Sequence, residues 1–123
     1  MGKKILIVDD EEDMRVSLSF LVPDTAEVLE AENVFEAKQI LEKDRIDLVI
    51  TDLSMPVKEG ITVSIFINVC ISDQYKIPVF VVSGYLDPQI QEEYRGKPGI
   101  EFVQKPFDAG TFEQAISKKL NAA

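Results

Sequence analysis

Three short apolar runs, each ending at a polar residue, constrain the fold of this chain more than any other feature. The runs are residues 4–8, 46–50 and 78–82, and they stop at Asp9-Asp10, Thr51-Asp52 and Ser83-Gly84. A nearly continuous apolar run is typical of a strand that is buried on both faces of a parallel sheet. Weaker candidates at residues 27–31 and 100–104 bring the predicted strands to five.

Segments with the apolar spacing of amphipathic helices lie between the predicted strands. We expect Pro23 to end the first helix, and Asn33 and Asp108 to cap the second and the last. A short fourth helix is predicted to end near Arg95. Strands that alternate with helices predict an α/β fold with helices on both faces of one parallel sheet. With 123 residues, the chain is predicted to be one domain, residues 1–123.

Residues 61–71 fit this scheme least well, because they are mostly β-branched or bulky and local propensity alone favours a strand. The need for a crossover between two parallel strands favours a helix instead. If one stripe of that helix is buried, three apolar side chains point elsewhere: Ile61, Ile65 and Val69. Two interpretations remain open. The helix is either partly covered by neighbouring loops, or it exposes a patch that binds another protein or another copy of the chain.

Composition excludes several classes of function. The chain has 22 acidic and 13 basic residues, a net charge of −9, whereas proteins that bind nucleic acids or anionic membranes need clustered Lys and Arg. Histidine is absent, which excludes histidine-based catalysis and phosphohistidine formation within this chain. Cys70 is the only cysteine, so neither an intramolecular disulfide nor a thiolate metal site can form.

Two further features bear on location. No apolar run approaches the ~20 residues of a membrane-spanning helix. The N-terminal residues lead directly into the first strand-like run and do not resemble a signal peptide. We therefore expect a soluble, cytoplasmic domain without a membrane partner.

Acidic residues follow two of the three strong runs. If the first and third strands are neighbours, Asp9, Asp10 and Asp52 meet at one edge of the sheet. Carboxylates about 5 Å apart repel each other by roughly 3 kcal/mol at an effective dielectric near 20, and a divalent cation would relieve this repulsion. Oxygen ligands with room for water suit Mg²⁺, or alternatively Mn²⁺. A solvated acidic helix start is the other interpretation, but it explains residues 11–13 better than Asp9 and Asp10.

An aspartate beside such a cation can act as a nucleophile and become an acyl phosphate. Lys105, after the last predicted strand, and Ser83, after the fourth, would be placed to contact phosphoryl oxygens. The chain has no G-x-x-x-x-G-K loop, which argues against nucleotide hydrolysis. The loop after the first strand is acidic and would repel a flavin phosphate.

Four short motifs, in this order and spacing, resemble those of the receiver domain of bacterial two-component response regulators, a family that includes the single-domain chemotaxis receivers. The motifs are Val8-Asp9-Asp10, Asp52-Leu53-Ser54-Met55-Pro56 followed by Gly60, Ser83-Gly84, and Lys105-Pro106-Phe107. The resemblance extends over essentially the whole chain. It implies a flavodoxin-like, doubly wound, five-stranded parallel sheet in the order 2-1-3-4-5.

The resemblance implies a role for each matching residue. Asp52 would accept a phosphoryl group from phosphohistidine on a sensor histidine kinase or a histidine phosphotransfer protein. Asp9, Asp10, Asp52 and the backbone carbonyl of Ser54 would bind Mg²⁺. Lys105, joined to Pro106 by a cis peptide bond, would pair with the phosphoryl group.

The resemblance also implies a conformational switch. Ser83 would move toward the phosphoryl oxygens and Phe102 would rotate inward, which would change the surface of the fourth helix and fifth strand. For Phe102, plain core packing is an equally open interpretation. Such a domain is not an enzyme beyond slow self-catalysed phosphorylation and dephosphorylation. Its further partners would be a downstream effector, a fused output domain or a second copy in a homodimer.

Two other functions compete with the switch. A Mg²⁺-dependent phosphohydrolase with an aspartyl-phosphate intermediate usually has a second acid two residues after the nucleophile, where this chain has Ser54. A pure interaction module would keep the fold without phosphorylation, and the apolar third helix is its best support.

Overall fold

The computed structural model describes residues 2–122 and contains all five predicted strands. They are β1 (Lys4–Val8), β2 (Glu27–Ala31), β3 (Leu48–Asp52), β4 (Val79–Ser83) and β5 (Ile100–Gln104). The strands pair in parallel in the order β2-β1-β3-β4-β5, and Val8 of β1 lies opposite Ala31 of β2 and Thr51 of β3. The predicted strand order and the doubly wound topology are confirmed.

Strands β3 and β4 extend further than their apolar runs. The apolar runs stop before Thr51 and Ser83, but β3 includes Thr51 and Asp52, and β4 includes Ser83, which agrees with the expectation that these strands end in polar residues. Backbone pairing decides the strand ends here, since Asp52 lies opposite Val82 and Ser83 lies opposite Gln104. The predicted start of β3 at residue 46 is wrong, because the strand begins at Leu48, where its pairing with β1 begins.

Five helices lie between and after these strands within residues 2–122: α1 (Glu12–Ser19), α2 (Val34–Lys43), α3 (Val63–Ile71), α4 (Pro88–Glu93) and α5 (Ala109–Leu120). The two predicted caps are confirmed. Asn33 accepts a hydrogen bond from the Glu36 amide at 2.8 Å, and Asp108 accepts one from the Thr111 amide at 2.9 Å. Helix α4 ends at Glu93, and a turn continues through Arg95, near the predicted end.

The end predicted for the first helix is wrong. Helix α1 ends at Ser19, four residues before Pro23, and the Leu21 amide donates a turn hydrogen bond to the Leu18 carbonyl at 3.0 Å. Leu21 and Val22 are buried in the core beside the sheet. The amides of Leu21 and Val22 bond to the carbonyls three residues before them, so the α-helical pattern has already been replaced by turns when the chain reaches Pro23.

The side chains of each central strand alternate between two hydrophobic cores. Leu6 and Val8 of β1 belong to the core that contains residues of α2 and α3. Ile5 and Ile7 belong to the core that contains residues of α1 and α5. The sheet is thus covered by helices on both faces, which explains why the strong strands read as continuous apolar runs. Within residues 2–122, no helix combines the length and apolarity needed to cross a bilayer.

Helix α3 forms despite its β-branched sequence. Thr62 caps it by accepting a hydrogen bond from the Ile65 amide at 3.0 Å. Its inner face is buried and consists of Val63, Phe66, Ile67 and Cys70. Of the three side chains outside the buried stripe, Ile61 and Val69 are partly buried against the core, while Ile65 is 46% exposed. Neighbouring elements therefore cover most of this apolar helix.

Candidate functional site

Three carboxylates meet at the edge of the sheet formed by the carboxyl ends of the strands. Asp9 directly follows β1, Asp52 is the last residue of β3, and these two strands are neighbours. One carboxylate oxygen from each of Asp9, Asp10 and Asp52 lies within 4.8 Å of the others. Asp9 is 1% and Asp52 7% exposed, whereas Asp10 is exposed. The structure therefore brings together the three acids that the sequence singled out.

The backbone of the neighbouring loops holds the two buried carboxylates in place. Oδ1 of Asp9 accepts a hydrogen bond from the Glu11 amide at 2.9 Å, and Oδ1 of Asp52 accepts one from the Ser54 amide at 3.1 Å. The Thr51 hydroxyl donates to the Asp52 carbonyl at 3.0 Å. These contacts fix the orientation of the acids without neutralising their charge.

The electrostatic balance at Asp9 shows how concentrated the negative charge is. Burial raises the pKa of Asp9, and the Asp52 and Asp10 carboxylates raise it further. The Glu11 amide and the Lys105 ammonium act in the opposite direction and lower this pKa. A second positive charge placed among the three carboxylates would stabilise their ionised forms.

This set of donors fits a divalent cation that prefers oxygen ligands. Three carboxylates, one of them exposed, offer hard oxygen ligands and leave space for water, as Mg²⁺ and Mn²⁺ require. Neither histidine nor a nearby thiolate is present to favour zinc, because the chain has no histidine and Cys70 is buried in the core. The Ser54 amide is committed to Asp52, and a role for the Ser54 carbonyl as a ligand stays a prediction.

Lys105 and Ser83 lie beside each other at the same edge of the sheet. The Lys105 amide donates to the Ser83 carbonyl at 2.8 Å, and the Lys105 side chain is near enough to lower the pKa of Asp9. The Lys105–Pro106 peptide bond is cis, as the resemblance implied. Ser83 is buried, and its hydroxyl donates to the Tyr85 carbonyl at 2.9 Å, while Asp87 provides the cap of α4.

Phe102 lies on β5 between the sheet and α4. Its side chain is partly buried against the core, and its ring centroid is 6.1 Å from that of Tyr94 at an interplanar angle of 51°. Residues of α4 and the following turn form with it a surface cavity of about 550 Å³. This position is compatible with both interpretations of Phe102, core packing and a switch.

Sequence reasoning missed two residues that contribute to this region. Arg15 on α1 donates from Nη1 to the Asp9 carbonyl at 2.7 Å and from Nε to Glu30 at 2.9 Å. The sequence signal for Arg15 was a single basic residue that follows a run of five acidic residues and one methionine. Tyr94 is the second, an aromatic residue in an otherwise polar segment, and the structure shows it buried.

The fold and the site together define a class of protein. A flavodoxin-like parallel sheet has a cluster of acids at the carboxyl ends of its first and third strands and a lysine after its last. Ligands bind at this switch point of strand order in open α/β sheets. A family model described as the response regulator receiver domain matches residues 5–117, and the chain belongs to this family.

Individual relatives agree with this assignment. The chain is 36% identical over 123 residues to the chemotaxis protein CheY of Bacillus subtilis, and the match covers 98% of this chain and 100% of the relative. It is 32% identical to the sensory transduction protein LytR of Streptococcus agalactiae, where it spans only 47% of the relative's length. The solved structure of CheY4 from Vibrio cholerae is similar, with a TM-score of 0.80 and 27% identity over 97% of this chain and 99% of that one. Receiver domains of this kind are signalling modules of two-component systems.

Proposed function

We propose that the chain is a phosphoacceptor switch in which Asp52 receives a phosphoryl group from phosphohistidine on a sensor histidine kinase or a histidine phosphotransfer protein. The observation that carries the proposal is the convergence of Asp9, Asp10 and Asp52 within 4.8 Å at the end of β1 and β3. A single buried carboxylate would not suffice, but a cluster of three with Lys105 at its side suits phosphoryl transfer.

The transfer exchanges one bond to phosphorus for another. A carboxylate oxygen of Asp52 forms the new O–P bond while the N–P bond of the partner's phosphohistidine breaks, and the departing imidazole nitrogen takes up a proton. Oδ1 of Asp52 accepts the Ser54 amide, so we assign Oδ2 as the attacking oxygen. Bound Mg²⁺, or Mn²⁺, would supply positive charge for the phosphoryl oxygens and would be held by Asp9, Asp10, Asp52 and the Ser54 carbonyl.

The remaining residues respond to the negative charge of the phosphoryl group on Asp52. The Lys105 ammonium pairs with a phosphoryl oxygen. Ser83 exchanges its hydrogen bond to the Tyr85 carbonyl, 2.9 Å in the present structure, for one to the phosphoryl group. Phe102 then rotates inward, and the surface of α4 and β5 changes for a downstream partner.

The setting of the switch is part of the same proposal. Residues 1–123 form one receiver domain in the cytoplasm, with slow self-catalysed phosphorylation and dephosphorylation. Its output passes to a separate effector, a fused output domain or a second copy in a homodimer. The match to the whole of CheY from B. subtilis supports a domain that acts on a separate effector. The match to about half of LytR from S. agalactiae supports a domain fused to an output domain.

Mass spectrometry after incubation with acetyl phosphate and Mg²⁺ tests the proposal. We expect one phosphoryl group on Asp52, no labelling without Mg²⁺, and none in the Asp52→Asn variant. Asp73→Asn, a change at an exposed aspartate after α3, is the matched control and should label like the wild type. A phosphoryl group on the Asp52→Asn protein, or none on the wild type with both acetyl phosphate and a histidine kinase, would contradict the proposal.

A further inference from the structure

Helix α4 is attached to the rest of the protein mainly through one residue that follows it. No residue of α4 itself is buried, and from Gly84 to Gly99 only Tyr94, at the C-cap, is buried, with 3% of its surface exposed. Ile90 is partly buried against the same core. The position of α4 therefore depends on what holds Tyr94.

The Tyr94 hydroxyl is part of a directed chain of hydrogen bonds to α3. Tyr94 Oη lies 2.7 Å from Ser64 Oγ, and Ser64 Oγ donates to Glu93 Oε1 at 3.2 Å. A serine hydroxyl has a single proton, and an ionised carboxylate only accepts. Because the Ser64 proton goes to Glu93, Tyr94 is the donor to Ser64. Two consecutive residues at the end of α4 thus bind one side chain of α3.

The same residue also contacts the aromatic side chain on β5. The Tyr94 and Phe102 rings are 6.1 Å apart, and the Lys97 ammonium lies 5.2 Å from the Tyr94 ring centroid. Lys97 in turn donates to Asn68 Oδ1 of α3 at 3.2 Å. A movement of Phe102 or of α4 would therefore disturb the Tyr94 ring and its hydrogen bond to α3.

We propose that Tyr94 is a positioning residue of the switch: its hydrogen bond to Ser64 holds α4 and Phe102 in the resting arrangement and so sets how readily the α4–β5 surface rearranges. The inference rests on the proposed function for the event that triggers the rearrangement. An interaction that is present in one arrangement and lost in the other shifts the balance between them by its net strength.

Hydrogen exchange of the unphosphorylated protein tests the resting contact. The variants are Tyr94→Phe, which keeps the ring, and Ser64→Ala. In both we expect the amides of α4 and its turn to exchange about fivefold faster, the factor that one net hydrogen bond is worth. The double variant should be no faster than Ser64→Ala, because both changes break the same bond. Tyr75→Phe is the matched control, since no hydrogen bond of the Tyr75 hydroxyl is found within residues 2–122, and it should leave α4 unchanged.

A second measurement tests whether the contact controls the rearrangement of the α4–β5 surface. It is the apparent affinity for beryllofluoride, an analogue of the phosphoryl group, in the presence of Mg²⁺. If the resting arrangement is weakened about fivefold, the analogue should bind up to about fivefold more tightly to Tyr94→Phe than to wild type or Tyr75→Phe. Unchanged exchange at α4, faster exchange throughout the sheet, or unchanged analogue affinity would each overturn the inference. Failure of Asp52 to accept phosphate would refute the proposed function instead, and the exchange data would still decide whether the contact to Ser64 holds α4.

Discussion

At the scale of single residues, burial decides which chemically capable groups remain inert. Cys70 belongs to the buried stripe of α3, and loss of solvent raises the pKa of its thiol to about 12. The thiolate is the reactive form of cysteine, so this residue packs as a small apolar side chain at neutral pH.

We therefore predict that Cys70 reacts with a disulfide reagent at pH 8 only after unfolding. The folded protein should show almost no reaction within an hour, whereas one thiol per chain should react at once in guanidinium chloride. The same pKa difference predicts that stability falls as the pH rises above about 8.5, where the unfolded thiol ionises and the folded one does not. Rapid labelling of the native protein, with no effect of added denaturant, would show that Cys70 is not held as the structure has it.

Neighbouring residues of one type can have opposite environments. Asp9 and Asp10 are adjacent in the sequence, yet Asp9 is buried and Asp10 is exposed. Both were predicted to approach Asp52, and both do. The motif identifies the pair, but the direction in which the chain leaves β1 decides which carboxylate loses its solvent.

At the scale of elements, α3 shows how tertiary contacts override local propensity. Its β-branched residues favour a strand, but the crossover between the parallel strands β3 and β4 requires a helix there. Most of its apolar side chains are covered at least in part, which favours the interpretation of a helix covered by its neighbours. Ile65 is the exception, at 46% exposure.

Because exposure differs along α3, we predict that shortening its side chains to alanine changes the free energy of unfolding by unequal amounts. Phe66→Ala should lower the free energy of unfolding by about 3–5 kcal/mol, because Phe66 is fully buried and its removal leaves a cavity. Ile65→Ala, on the adjacent exposed position, should change it by no more than about 0.5 kcal/mol. Urea unfolding followed by circular dichroism measures both. Comparable losses for the two variants would mean that Ile65 is buried in solution, for instance by a second copy of the chain.

Element boundaries were less predictable than element types. Caps that act locally, such as Asn33 and Asp108, were identified correctly because the signal lies within four residues of the helix start. The predicted end of α1 and the predicted start of β3 were wrong: Leu21 and Val22 lie in turns beyond the helix, and β3 begins only at Leu48, where its pairing with β1 begins. The pairing between strands is a long-range contact that a local pattern does not contain.

At the scale of the whole molecule, the charge cluster links function to stability. The chain has a net charge of −9, and three of its carboxylates are held together at one edge of the sheet. Like charges that the fold forces together oppose folding until a cation binds. A ligand that binds only the folded state stabilises it by mass action.

We predict that Mg²⁺ at tenfold excess over its dissociation constant stabilises the wild type by about 1.4 kcal/mol. Asp9→Asn should abolish this response while leaving the metal-free protein at least as stable as wild type, because one repelling charge is gone and the amide oxygen can still accept the Glu11 hydrogen bond. Urea unfolding with MgCl₂, and with NaCl at equal ionic strength, measures the difference.

The control for this prediction is Asp24→Asn, which removes one negative charge at an exposed position before β2 and should keep the full Mg²⁺ response. A Mg²⁺ response that survives in Asp9→Asn would place the cation elsewhere. A large loss of metal-free stability in that variant would show that the Asp9 charge supports the fold.

The sequence by itself determined the α/β class, the five strands, the acids that follow β1 and end β3, and the positions of Lys105 and Ser83. These depend on local patterns and on motif spacing, both of which are properties of the linear chain. Only the tertiary structure decided that Asp9 and Asp52 are buried together, that α3 is largely covered, and that Tyr94, which follows α4, contacts Ser64 on α3. These features arise from contacts between residues that are far apart in the chain, such as the 30 positions between Ser64 and Tyr94, and no local pattern encodes which distant partner completes each contact.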